Sequence, residues 1–144
     1  MANRVRYPRQ NRYPLYCLQK LKIEKAYPCF SCKVYADRLE CVGSINPDPD
    51  DEEGTSYRIQ MVYGRAPEVR VIKPHIEYNK DIHMFSDGSL CLYYPKDLKG
   101  SKWSDKLNLH ETIFPWTAEW LLYYERYLRS GKWEGPEAPH AVPT

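Results

Sequence analysis

The sequence predicts an α+β domain in which an N-terminal helix precedes an antiparallel four-stranded meander and two helices close the chain. Three observations carry that prediction. Apolar and polar residues alternate with a period of two over much of the stretch between Phe30 and Ile72, the pattern of half-buried strands. A helical period returns only after Trp103. Between them, Pro74 to Gly100 has little periodicity and many turn residues. Strands first and helices after put the helices against one face of a sheet. The irregular stretch between the two halves is where a site is expected.

The elements follow in order. From Leu15 to Ala26, Leu15, Leu18, Leu21 and Lys22 recur at helical spacing and predict a short amphipathic helix, ended by Pro28. Cys29–Tyr35 and Leu39–Ile45 flank Ala36-Asp37-Arg38 and read as a hairpin. Asn46-Pro47-Asp48-Pro49 and the acidic run Asp50, Asp51, Glu52 and Glu53 form an exposed loop. In Ser56–Tyr63, the residues Tyr57, Ile59, Met61 and Tyr63 share one face. Val69, Val71 and Ile72 make a short fourth strand before Pro74. Trp103-Ser104-Asp105 opens a helix with Ser104 as N-cap and with Leu107 and Ile113 on its apolar side, and Pro115 interrupts it. Thr117 then caps a second helix, Ala118 to Ser130, striped by Trp120, Leu121, Tyr124, Tyr127 and Leu128. Gly131 stands where a C-terminal cap belongs.

Composition limits the function classes. The 144 residues form one domain, with residues 1–13 as a basic arm and 134–144 as a tail. No apolar run approaches the ~18 residues of a membrane span, and no apolar stretch follows the N-terminal arginines as a secretory signal requires. A membrane role is therefore not expected. The net charge of +2 implies no strongly basic surface. Arg4, Arg6, Arg9 and Arg12, interleaved with Tyr7 and Tyr13, lack a second basic cluster, so the arm reads as a solvated terminus and nucleic acid is not the expected partner. Five cysteines, an odd number, without an export signal point to free thiols in a reducing cytoplasm. Cys29-Phe30-Ser31-Cys32 is a CxxC, but Cys17 and Cys41 do not supply a second pair at the usual spacing. No metal is expected. No Walker-type or Gly-rich dinucleotide loop is present, so no cofactor is expected either.

The informative stretch is His83-Met84-Phe85-Ser86-Asp87-Gly88-Ser89-Leu90-Cys91-Leu92. Gly88-Ser89-Leu90-Cys91-Leu92 resembles the active-site signature of ubiquitin-conjugating enzymes, and Trp103-Ser104 resembles the pair that opens their next helix. Phe114 to Leu121 with Tyr124-Glu125, Ser130 to Gly135, Pro28 to Cys32 and Leu39 to Gly43 are similar to recurring blocks of the bacterial branch of that family. Stand-alone members of this branch occur in anti-phage CBASS operons beside a cGAS-like nucleotidyltransferase. The resemblance implies the UBC-like fold and a Cys91 that carries the C-terminus of that nucleotidyltransferase, or of a ubiquitin-like donor, as a thioester before transfer to a target lysine. One departure matters. The eukaryotic His-Pro-Asn is absent: Met84 and Phe85 follow His83, which stands closer to the cysteine than in the eukaryotic pattern.

The chemistry needs a thiolate nucleophile and proton handling at each step. His83 and His140 are the candidate bases or orienting groups. Ser89, His83 or a backbone N–H is the candidate oxyanion donor. Asp87 is placed to orient an incoming amine. With no motif for adenylating a carboxylate, the donor requires a separate activating enzyme or a direct route. The residues alone leave alternatives open. Cys91 reads equally as an inert buried thiol, since Leu90 and Leu92 flank it. His83 reads also as loop scaffold, and His140 as an ordinary tail residue. A UBC-fold adaptor without catalysis is the competing function.

Overall fold

In the computed structural model the chain is described over residues 11–93 and 103–135. The elements are α1 (Tyr13–Ala26), β1 (Ser31–Val34), β2 (Leu39–Ile45), β3 (Tyr57–Tyr63), β4 (Pro67–Lys73) and α2 (Ile113–Ser130). The strands pair in chain order, all antiparallel, as the meander requires. The period of two is realised on the inner face, where Leu39, Cys41, Tyr57, Ile59, Met61, Tyr63 and Val69 are buried. Opposite them lie Ile113, Phe114, Trp120 and Leu121 of α2. Phe30 and Phe114 meet edge to face with ring centroids 4.8 Å apart. This is the predicted α+β architecture, with a helix laid across one face of the sheet.

The face of α1 differs from the expectation. Leu18 and Leu21 are 48 % and 66 % exposed, while Tyr16, Gln19 and Ile23 are buried. Hydrogen bonds that a hydropathy pattern does not register choose this face. Tyr16 Oη lies 2.8 Å from Gly64 O. Gln19 Oε1 accepts the Leu109 N–H at 3.0 Å, and its Nε2 donates to Asn108 Oδ1 at 3.2 Å. On the neighbouring turn, Glu24 Oε2 accepts the Cys32 N–H at 2.9 Å and Lys20 Nζ donates to Cys32 O at 3.0 Å. These two side chains satisfy backbone groups on β1, an edge strand of the sheet.

The cysteines need a second correction. Cys32 and Cys41 are direct cross-strand partners with Cα atoms 4.1 Å apart, and they are joined as a disulfide. The expectation of free thiols throughout therefore fails for this pair, because the hairpin register stacks them. Cys29, the other half of the CxxC, stays outside the bridge with Sγ 3.3 Å from Ser44 O.

Among the described residues the C-terminal half holds one α-helix where two were expected. Ser104 caps only a turn, with Oγ accepting the Lys106 N–H at 3.2 Å and its carbonyl the Leu107 N–H at 2.9 Å. A single 3-10 turn, Leu109–Glu111, follows. Tertiary contacts hold this segment out of a helix: Asp105 is bound by Arg12 and Tyr63, and Leu109 by Gln19. Pro115 does not interrupt α2 but sits in its first turn, where the missing N–H has no intrahelical partner to lose. Thr117 is not a cap either, since its buried hydroxyl donates to Ile113 O at 2.7 Å inside the helix. Gly131 does end the helix, with φ 73°.

Most of the basic arm lies outside the described residues. Arg12 is bound into the fold: it donates to Gly64 O at 2.9 Å and pairs with Asp105 at 2.8 Å. Among the described residues no helix is long and apolar enough to cross a membrane.

Candidate functional site

The irregular stretch after β4 folds into a small hairpin. It begins with a 3-10 turn, Lys80–Ile82, started by Asn79 Oδ1 accepting the Asp81 N–H at 2.9 Å. Met84 and Leu90 form an antiparallel bridge. The Phe85 N–H donates to Ser89 O at 2.9 Å and the Cys91 N–H to His83 O at 3.0 Å. His83 and Cys91 therefore face each other across the hairpin, and their sequence spacing is the length of its loop. Gly88 turns the tip with φ 90°, a conformation that favours glycine, and its N–H reaches Phe85 O at 3.0 Å.

Two elements clamp this hairpin. Along β4, the Leu90 N–H donates to Val69 O at 2.9 Å, and Tyr93 Oη donates to Pro67 O at 2.9 Å. Burial pushes the Tyr93 hydroxyl up to about 12. From α2, the Trp120 Nε1–H donates to His83 O at 3.0 Å. The His83 carbonyl thus receives two N–H donors. His83 itself has φ 56°, the one non-glycine residue with positive φ among the described residues. Such backbone persists where surrounding bonds over-determine it, and it clusters at functional sites. The His83 ring packs on Trp133 with centroids 5.4 Å apart, and Trp133 packs in turn on Trp120 at 5.5 Å.

The hairpin tip is polar. Asp87 Oδ1 accepts the Ser89 N–H at 2.9 Å and the Ser89 hydroxyl at 2.6 Å, while Arg70 of β4 reaches Asp87 Oδ2 at 3.1 Å. The Ser89 hydrogen bonds, with Arg70 adding to them, hold the Asp87 carboxyl below the usual carboxylate range. Arg70 also pairs with Glu68 at 3.3 Å. An open cleft of about 360 Å³ lies here, lined by Pro67, Glu68, Phe85, Asp87, Leu90 and Tyr93.

Cys91 is only 4 % exposed. Leu90 and Leu92 beside it are buried as well. The amides around the thiol are committed: Leu90 to Val69 O, Cys91 to His83 O, and Leu92 to Leu90 O at 3.1 Å. The one Ser89 hydroxyl proton is committed to Asp87. As the hairpin stands, these groups are not available as oxyanion donors.

A family model described as Type II CBASS E2 protein matches residues 19–141. The chain belongs to the type II CBASS E2 family. A comparison with curated proteins finds no match. The match runs from α1 through the hairpin and α2. It ties this CBASS E2-family protein to anti-phage defence.

Of the residues singled out from the sequence, the fold brings His83 opposite Cys91 and joins Ser89 to Asp87. His140 lies outside the described residues. Among the described residues no group of three His, Cys, Asp or Glu is placed to hold a metal ion. Sequence reasoning missed Arg70, the Trp120 indole N–H and Trp133. Trp120 was legible only as helical packing, and Arg70 carries no local signal, because its partner comes from a loop seventeen residues on.

Proposed function

We propose that this E2-family protein is a cysteine-thioester transferase with Cys91 as its nucleophile. The facing of Cys91 and His83 across a clamped hairpin carries this reading. The Cys91 thiolate attacks an activated carboxyl carbon, an S–C bond forms, and the leaving group departs with its electron pair. A lysine amine then attacks the thioester carbonyl. The C–N bond forms, the C–S bond breaks, and the amine proton passes to a base, for which His83 is the candidate. With Ser89 and the three amides engaged, His83 is also the candidate donor to the oxyanion. Asp87 and Ser89 brace the loop, and His140 is a further candidate base. The donor is the C-terminus of a cGAS-like nucleotidyltransferase, or of a ubiquitin-like protein, supplied by a separate activating enzyme. The setting is the cytoplasm.

The burial of Cys91 favours a second reading, a UBC-fold adaptor that binds its CBASS partners without chemistry. Intact mass spectrometry separates the two. Co-expressed with the nucleotidyltransferase, the protein is expected to gain the partner's mass. The gain should vanish with thiol reductant, persist as a reductant-stable ester in Cys91→Ser and be absent in Cys91→Ala. An unmodified Cys91 with only non-covalent complexes would establish the adaptor. Cys91→Ala should cost about 1 kcal/mol of stability, since one small buried group is removed; unfolding would mark the thiol as core.

A further inference from the structure

The transfer proposed above asks the His83 imidazole to reach a proton at the Cys91 thioester, and a base acts only within hydrogen-bond reach. The two N–H donors on the His83 carbonyl, from Cys91 and from Trp120, fix its backbone. They do not fix the ring, because χ1 has three staggered wells and χ2 of histidine is broad. A further contact has to choose the rotamer. The structure supplies one from the C-terminal end of α2.

There the chain doubles back. Gly131 takes φ 73°, a conformation that favours glycine, and its N–H donates to Tyr127 O at 2.7 Å. The Ser130 hydroxyl closes the turn: it accepts the Lys132 N–H at 3.2 Å and donates to Lys132 O at 3.0 Å. Trp133 is thereby returned onto the helix it has just left. Its ring lies 5.5 Å from Trp120 and 5.9 Å from Tyr123, centroid to centroid. Gly135 follows so closely that a Cβ there would stand 2.9 Å from the Tyr123 ring and 3.0 Å from Trp133 Nε1. The indole is gripped by α2 and by its own turn. Against it, at 5.4 Å and inclined by 48°, lies the His83 ring. Trp120 thus acts on His83 twice, through its N–H on the carbonyl and through Trp133 on the imidazole.

The geometry points to Trp133 as a positioning residue for transfer: it holds the His83 imidazole in the rotamer that serves Cys91. This rests on the reading of Cys91 as a thioester carrier and of His83 as its base. Trp133 touches His83 and takes no part in bond making. An aromatic face suits the task for a second reason. The proton leaving the lysine nitrogen makes His83 a cation, and an indole attracts a cation within about 6 Å of its centroid.

Histidine-ring NMR and single-turnover transfer test this together. The His83 ring protons, identified by their loss in His83→Gln, should be displaced by the indole ring current. Trp133→Leu should move them to free-histidine positions and leave the amides of β2 and β3 in place. Gly131→Ala strains the turn without touching either ring, and it should move the same signals, so the test stands even where Trp133→Leu does not fold. For transfer, Cys91 is loaded by co-expression with the nucleotidyltransferase and discharged to free lysine. Discharge at saturating lysine should be about tenfold slower in Trp133→Leu, since small misplacements of a reacting group cost up to about a hundredfold, and the lysine KM should not change. Trp133→Phe should recover most of that rate. Unmoved His83 signals in Trp133→Leu would overturn the proposal, and so would a loss that falls on KM alone. An unmutated protein that never loads Cys91 would sink the thioester reading and this role with it, even with the two rings shown by NMR to meet.

Discussion

Two segments outside the regular elements hold the molecule together, and they are held by different means. The hairpin of His83–Cys91 is knitted mainly by backbone: Met84 bridges Leu90, Cys91 bonds to His83, and Leu90 bonds to Val69. The segment Trp103–Leu109 is pinned by side chains of α1 and of the residue before it, with Arg12 on Asp105 and Gln19 on Asn108 and Leu109. Backbone bonds survive most substitutions, so a site built on them tolerates change in its loop. Side-chain pins are lost one at a time, and each loss falls on stability. The candidate chemistry sits in the first kind of segment, and the closure of the fold rests on the second.

The largest expected effect breaks that division where a side chain enters the hairpin. Trp120→Phe removes the indole N–H from His83 O and leaves a void in a fully buried position. It should cost about 3 kcal/mol in urea unfolding and slow any transfer reaction, because the His83 backbone loses one of its two anchors. Unchanged transfer per folded molecule would show that the backbone alone suffices.

Gln19→Leu tests the other segment. It strands the buried Leu109 N–H and should cost about 2 kcal/mol, while transfer per folded molecule stays at the unmutated level. A parallel loss of transfer would show that the two segments are coupled.

The smallest effect is on acid stability. Arg12 holds the Asp105 carboxyl down at about 2. The unfolded value is about 3.9, so the unfolded chain binds the proton first as pH falls. The stabilisation is present above about pH 4 and is lost as pH falls through about 2. With the Asp105 side chain 43 % exposed, solvent screening limits it to about 1 kcal/mol. Arg12→Gln should flatten this part of the urea-midpoint profile; an unchanged slope would assign acid sensitivity to other carboxylates.

The same contrast explains what was legible in the sequence. Strands β2 and β3 could be read because burial on one face of a sheet writes itself as alternation, in Leu39–Ile45 and Tyr57–Tyr63. The buried face of α1 could not, because Tyr16 and Gln19 are selected by partners on distant segments. Helix onset at Trp103 was misread for a related reason: Ser104 and Asp105 bind locally and to Arg12, where a helix cap was expected. Around Cys91 the motif identified the candidate residues by type. Their geometry was hidden, since the positive φ of His83 and its bond from Trp120 have no local signature.

The bonds that Glu24 and Lys20 make to Cys32 reach beyond stability. They occupy backbone groups on one border of the sheet, and Leu90 occupies Val69 on the other. An extended peptide seeking to lengthen this sheet finds its docking ladder interrupted at both margins. Strand addition at these positions would have to displace bonds the fold already makes, and that guards both borders of the sheet against indiscriminate pairing.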